Sequence, residues 1–446
     1  MKPSRWINGI ATAVLALWTA AIGSVPAVAA AAHRTAPAMA SSKRSYSSAA
    51  SQVGASTGHV TQDNDSVPVT GQSVGVIENL HMFSAQDGWA FAVANSGARL
   101  LRTVDGGKQW TVVSPLLAKS DVIVGRAFIN SNAAWLAVQS QPVNFFAARP
   151  LRFLRTQNGG RTWQTVSSFT LPNGVPVQSV QFDLITPTAG FVMVQPQHGM
   201  GSEPGLLYAV SGAGKRFSLR SENLYAYAPA KASSLPNGGS IYFSSLRVGW
   251  LVAADCTTCT ERLYETANGG KNWRRIPLPV PRSDRGRTPN LLSAPFSPVT
   301  GGALYLAAFM DGNIGLNSSA LYRYDSATHR WLYDGVLPDN YGSLQMMASR
   351  PPYVDFTSAA NGYVMGTNRL YETVNGGRNW SPVPGGPQKT TATADLQEID
   401  FVSKQTGWIL WNTHPANGKD VSLLYESVDG GHSWKLMLRT VPTAII

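Results

Sequence analysis

Cysteine is nearly absent: the 446 residues hold two, Cys256 and Cys259, with two threonines between them. A small disulfide-framework fold needs several spaced pairs and is excluded. Charge is sparse as well. Asp, Glu, Lys and Arg make up 14% of the chain, against about a quarter in ordinary domains. The shortage falls hardest on carboxylates, 25 against 36 Lys and Arg, leaving a formal net charge of +11. The histidines are few and scattered: His81, His198, His329, His414 and His432 lie in separate stretches. No HExxH, glycine-rich phosphate loop or Ser-His-Asp pattern stands out, so zincin, nucleotide-hydrolase and serine-hydrolase chemistry have no signature here. Beyond the N-terminal leader, no apolar run approaches the roughly 20 residues that a membrane helix needs.

What the chain has instead is repetition. Five octapeptides are nearly the same: TVDGGKQW (Thr103–Trp110), TQNGGRTW (Thr156–Trp163), TANGGKNW (Thr266–Trp273), TVNGGRNW (Thr373–Trp380) and SVDGGHSW (Ser427–Trp434). Asp105, Asn158, Asn268, Asn375 and Asp429 hold the third position. There a short polar side chain can bond backbone N–H groups two residues on and tolerates positive φ. Gly-Gly supplies the positive φ that a tight hairpin demands. The leading hydroxyl serves the same turn. Trp110, Trp163, Trp273, Trp380 and Trp434 open the returning strand and can fold a ring over the turn. Each copy reads as strand, tight turn, strand, and these positions are structural.

Spacing gives the architecture. Thr103 and Thr156 stand 53 residues apart, and Thr373 and Ser427 stand 54 apart; the two gaps between, 110 and 107, are each about twice that unit. A period near 50 residues marks a propeller or solenoid. The doubled gaps predict a decayed copy inside each. LLYAVSGAGKRFSL (Leu206–Leu219) fills one, with Phe217 for Trp, and LYRYDSATHRWLY (Leu321–Tyr333) fills the other, keeping Asp325 and Trp331. A second motif precedes every hairpin: FSAQDGW from Phe83, FINSNAAW from Phe128, FDLITPTAGF from Phe182, FSSLRVGW from Phe243, FSPVTGGALY from Phe296, FTSAANGY from Phe356 and FVSKQTGW from Phe401. Two hairpins per unit make four strands. Seven such units around an axis make an all-β, seven-bladed β-propeller of four-stranded blades, expected over residues 68–446.

The octapeptide resembles the Asp-box, or bacterial neuraminidase repeat, Ser/Thr-x-Asp-x-Gly-x-x-Trp, with Asn for Asp at positions 158, 268 and 375. With the preceding Phe…Gly-Trp half and seven units, Leu80 to Leu438 resembles the photosystem II assembly/stability factor propellers and their non-photosynthetic bacterial relatives. The resemblance implies a non-enzymatic, cofactor-free binding scaffold that docks a membrane or envelope protein. Sialidases and other glycosidases carry the same box at a non-catalytic edge. A glycosidase, or a propeller that binds carbohydrate or cell-wall polysaccharide, therefore stands as the alternative. Against a sialidase, RRIP (Arg274–Pro277) follows the fourth-blade hairpin instead of opening the first blade, and sialidase propellers have six blades. Other glycosidases need two carboxylates across a cleft. The loops offer Glu203, Asp255, Glu261, Asp311 and Asp339, and no spacing shows that two converge.

The N-terminus reads as a secretory signal over residues 1–32: a basic MKPSR, an apolar INGIATAVLALWTAAIGSV and Ala-x-Ala sites in PAVAAAA. An uncleaved anchor is the other reading, since the run is nearly of spanning length. Residues 33–67 are rich in Ser, Ala and Thr and read as a disordered tether. Loss of Lys2 and Arg5 with the leader takes the net charge to +9. Such a basic surface suits anionic envelope components or an acidic protein patch, or serves solubility alone. Export disfavours nucleic acid as a partner. In an exported chain Cys256 and Cys259 read as a local disulfide; a redox pair, a metal pair or free thiols are the alternatives.

In a four-stranded meander the first and third turns share one face. Here those turns are short and repetitive, whereas the second turns and the blade links are long and irregular. Function belongs on that irregular face, opposite the octapeptides, because binding concentrates in loops on a rigid scaffold. Its candidate contacts are Arg149, Arg282, Arg285, Arg287, Arg350, Arg369, Tyr225 and Tyr341, of the residue types enriched at interfaces. Phe145, Phe146 and Tyr227 accompany them. The expected molecule is an exported monomer without metal.

Overall fold

The second strand of each unit is almost wholly apolar, as in GWAFAVA, AWLAVQS and GWILWNT, and almost wholly buried. A strand so patterned is covered on both faces, as blades stacked around an axis require. The computed structural model describes residues 70–72, 74–94, 97–140, 149–171, 174–198, 204–223, 235–255, 260–282, 285–291, 295–297, 304–311, 318–338, 354–366, 369–386, 394–413 and 420–440. They form seven four-stranded antiparallel blades in a ring, a seven-bladed β-propeller. The innermost strands, in order, are Val76–Met82, Asp121–Phe128, Val177–Thr186, Gly239–Phe243, Thr288–Leu291, Val354–Phe356 and Ala394–Phe401. Each blade then meanders outward, as in blade two through Ala134–Ser140, Pro150–Thr156 and Gln164–Thr170.

One aromatic ring per blade opens the second strand: Trp89, Trp135, Phe191, Trp250, Tyr305, Tyr363 and Trp408, all essentially buried. These rings join neighbouring blades. Trp89 stacks on Phe128, Phe191 on Phe243, Tyr305 on Phe356 and Tyr363 on Phe401, with centroids 5.6, 3.5, 4.2 and 3.7 Å apart. Aromatic pairs contribute about 0.5–1.5 kcal/mol each beyond their burial. Their polar tips reach the turns of the next blade. Trp89 Nε1 donates to Asn130 O, Tyr305 Oη to Ala359 O and Tyr363 Oη to Lys404 O, while Trp408 Nε1 donates to Gly106 O of blade one. Burial pushes both tyrosine hydroxyls up to about 12, with nearby carboxylates adding to the shift.

Three buried aspartates make a second set of joints. Asp183, Asp355 and Asp400 lie near the ends of inner strands, and each Oδ2 accepts the backbone N–H of the matching residue one blade on: Phe243, Phe401 and Met82. The register that defines "matching" corrects readings of the motif that precedes each hairpin. Met82 pairs with Gly88 and Leu184 with Gly190, just as Phe401 pairs with Gly407. The structural counterparts of Phe401 are therefore Met82 and Leu184, not Phe83 and Phe182. A constant turn length fixes the position, and the residue type there is free to vary.

In every octapeptide the hydroxyl and the third side chain form one closed unit. Thr103 Oγ1 donates to Asp105 Oδ1 at 2.9 Å, accepts from Gly107 N at 2.9 Å, and Asp105 Oδ1 accepts from Gln109 N at 3.0 Å. Asn158, Asn268, Asn375 and Asp429 accept the equivalent bonds. The first glycine donates to the same blade's first turn, Gly106 to Gln86 O and Gly376 to Ala360 O at 2.9 Å, so both turns share one face. The second glycine has φ near +90° and abuts the preceding blade. A Cβ on Gly160 would lie 2.5 Å from Val113 Cβ, and one on Gly377 2.5 Å from Leu321 Cδ2. In blade three, where the octapeptide has decayed, Gly214 keeps this place against Trp135.

Blade seven owns four strands, and Thr70–Gln72 adds a fifth, parallel to its outer strand Lys435–Thr440. A buried network completes the closure. Ile77 N donates to Ser422 Oγ at 2.8 Å, Ser422 Oγ to Asn412 Oδ1 at 2.6 Å, and Asn412 Nδ2 back to Ile77 O at 3.0 Å. The expected signal, the tether and the Cys256/Cys259 pair lie outside the described residues, as do Arg350, Tyr225 and Tyr341.

Candidate functional site

Links and second turns build the face opposite the octapeptides. Its arginines are not equivalent. Arg149 immediately precedes the third strand of blade two, half-buried, and its Nη1 donates to Ser140 O at 2.9 Å. Beside it Asp121 is buried under Arg152 Nη2 at 2.5 Å and Ser140 Oγ at 2.7 Å. Burial pushes the Asp121 carboxyl up, but bonds from Ser140, Arg152 and the Ala118 N–H together hold it below its ordinary value. Arg149 is thus part of a fixed corner. Arg282 and Arg285 are exposed on the link from blade four to blade five, and Arg287 on the same link is half-buried. Gly286 between them has φ +85° with open space around it. Arg369 is exposed beyond a tight turn in blade six, where its carbonyl accepts Gly366 N–H at 2.8 Å. The structure groups Arg282, Arg285 and Arg287 on one segment and leaves Arg149 and Arg369 on other blades.

A second constellation sits on the inner strands, and sequence reading missed it. Blades seven, one and two each carry a β-bulge at the same register, between Leu396 and Glu398, Ile77 and Asn79, and Ile123 and Gly125. Bulges re-aim side chains and concentrate near functional sites. Asn79 Nδ2 donates to Glu398 Oε2 at 3.1 Å. Arg126 lies with its guanidinium carbon 3.9 Å from the Phe91 ring centroid. Desolvation lowers the Arg126 pKa, and Glu78 and Glu398 act against that. Asn79 and Glu398 are thus bonded across two blades, and Glu78 and Glu398 both favour the charged form of Arg126 on a third. The available signal was positional: Asn79 and Glu398 both stand three residues before the strand end, once the strands are aligned on Gly88 and Gly407. Among the described residues no group of three or more His, Cys, Asp or Glu side chains gathers as a metal site.

Fold and site define the class as a seven-bladed β-propeller with a variable loop face. No family model matches the sequence, and no curated protein matches it. Several solved structures are similar to it at low identity. A YCF48 structure bound to a D1 peptide is 16% identical at a TM-score of 0.44, over 82% of this chain and 96% of that one. YCF48 from Cyanidioschyzon merolae is 15% identical at 0.46, over 77% and 95%. AFV00434, an ancestral GH74 enzyme, is 14% identical at 0.43, over 82% of this chain and 55% of its own. At these identities the likeness is one of fold.

Proposed function

We propose that this chain is an exported, monomeric recognition scaffold that docks a membrane or envelope protein through the face opposite its Asp-box turns. The observation that carries the reading is the Arg282–Arg287 link. Arg282 and Arg285 are exposed there, and neither forms an ion pair with any described residue, although the ring behind them is tightly jointed. Unpaired cations on a rigid frame lose little conformational freedom in the frame itself and favour a partner of opposite charge. The Asp-boxes act as joints in this reading and lie on the face away from the docked membrane or envelope protein. The resemblance of the repeat to the photosystem II assembly/stability factor family accords with it.

The test is capture from detergent-solubilised envelope of the source cell. A discrete membrane protein should be retained by the wild-type chain and lost when Arg282, Arg285 and Arg287 are changed to Gln together, with unchanged thermal unfolding. Retention that is indifferent to the three changes overturns the assignment of the site. A second reading rests on Glu78 and Glu398, inner-strand carboxylates of adjacent blades that both act on Arg126. A glycosidase reading would assign them as its two carboxylates, and Glu398→Gln abolishing hydrolysis of a wall polysaccharide would establish it.

A further inference from the structure

We infer that the junction of blades five and six, on the octapeptide face, is a binding site for a single carboxylate-bearing residue. A cavity of about 340 Å³ opens there, lined by Arg323, Asp334, Ala359, Ala360, Asn375 and Arg378, with Gly376. Its size matches one acidic sugar or one acidic amino-acid side chain, at the small end of ligand pockets.

The cavity exists because this junction is built differently from its counterpart. Arg102 of blade one and Arg323 of blade five hold the same register, opposite Trp89 and Tyr305. Arg102 crosses to blade two, donating Nε to Ser131 O at 3.1 Å, and Gly159 packs against its guanidinium. Arg323 instead turns to its own outer strand, donating Nε to Asp334 Oδ2 at 3.1 Å. Ala359 O, the counterpart of Ser131 O, accepts from Tyr305 Oη instead, and the space that a crossing arginine would fill beside Ala359 and Ala360 is the cavity. Gly335 lets the outer strand approach closely, since a Cβ there would lie 2.8 Å from Gly377 O. That approach brings Asp334 to Arg378, whose Nε is 3.7 Å from Oδ1.

One buried carboxylate therefore serves two guanidiniums, and the cavity carries one net positive charge. Neither Arg323 nor Arg378 makes a further hydrogen bond or ion pair among the described residues, so their terminal nitrogens remain as donors. Asn375 adds an amide. Its Oδ1 is taken by Thr373 and Asn379, and its Nδ2 has no partner among the described residues. Asp at this position would cancel the cavity's charge; Asn keeps the hairpin bonds without the carboxylate. Paired guanidiniums match the two oxygens of a carboxylate, and charge-assisted bonds of this kind are among the stronger ones.

The proposal is tested on the purified chain by isothermal titration calorimetry. The probes are methyl glucuronide and N-acetyl-aspartate amide, each beside its uncharged counterpart, methyl glucoside or N-acetyl-asparagine amide. Saturable binding of one or both acids, absent for the neutral forms, is expected, and which acid binds tells a sugar source from a peptide source. Arg378→Gln should weaken that binding by about tenfold or more. Arg378 is 63% exposed, and thermal unfolding of the variant checks that the fold persists. Asp334→Asn, which removes the competing carboxylate, should strengthen binding. No saturable binding of either acid, equal binding of a neutral counterpart, or an unchanged affinity in Arg378→Gln overturns the proposal.

Discussion

The second glycine of each octapeptide does two jobs, and two alanine substitutions separate them. Gly160 and Gly286 share the same backbone angle, φ +85°. A Cβ on Gly286 meets nothing within 4 Å, whereas one on Gly160 meets Val113 Cβ at 2.5 Å and Val113 O at 3.0 Å. Gly286→Ala therefore carries only the left-handed backbone cost, about 1–2 kcal/mol. Gly160→Ala carries that cost plus overpacking between blades one and two, about 1–3 kcal/mol more. The expected losses are about 1–2 and about 2–5 kcal/mol. Equilibrium urea unfolding followed by tryptophan fluorescence reads both, with equal slopes required for the comparison. Adding Val113→Gly, which removes the Cβ and Cγ2 that the new methyl group would meet, should recover most of the packing part, giving a coupling of about 1 kcal/mol or more. Equal losses for the two glycine variants, with no coupling to Val113, would refute the view that this glycine is a blade-to-blade joint.

Other outcomes follow from the same geometry. The Ser433 hydroxyl, then the Ser433 N–H and the Ser427 hydroxyl, hold the Asp429 carboxyl down to about 2 from 3.8. A depressed folded value means that its stabilisation is full above pH 3.8 and fades as pH falls towards 2. Asp429→Asn should therefore shrink the stability gap to wild type across that window in urea midpoints taken by pH, and parallel curves would sink the claim. Ser422→Ala orphans the buried Ile77 N–H and Asn412 Oδ1, at about 1–3 kcal/mol. Hydrogen exchange should quicken first in residues 76–82; uniform quickening would count against a local closure. Asp429→Ala should lower stability and leave partner capture intact wherever the fold survives, and lost capture at unchanged stability would contradict the structural role of the hairpins.

The blades were legible because a hairpin that needs Thr, Asx, Gly-Gly and Trp at fixed offsets leaves few substitutes. Even the decayed third and fifth units were found, from the doubled spacing together with Phe217, Asp325 and Trp331 at the expected offsets. The motif that precedes each hairpin was less legible. Reading it by phenylalanine put Phe83 and Phe182 one and two residues out of register, because the turn length is constrained more tightly than the side chain. Inner-strand chemistry was hidden for a different reason. Alternation assigns faces only while the strand is regular, and a bulge beside Glu78 and Glu398 breaks that parity. Asp183, Asp355 and Asp400 look like stray acids in apolar strands until the neighbouring blade supplies their N–H partners. Arg149 shows the converse. Its bond to the Ser140 carbonyl spans a loop, and spacing could not distinguish it from the exposed Arg282 and Arg285.

The strand Thr70–Gln72 runs parallel to Lys435–Thr440, which leads away from the last octapeptide towards the loop face. Its upstream end therefore points back to the octapeptide side. A chain held at its N-terminus would hang from that side like a lamp from its cord, with the Arg282–Arg287 segment turned away from the point of attachment. A segment attached upstream of Thr70 would leave the ring on the octapeptide side, whereas one attached downstream of Thr440 would leave it on the loop face.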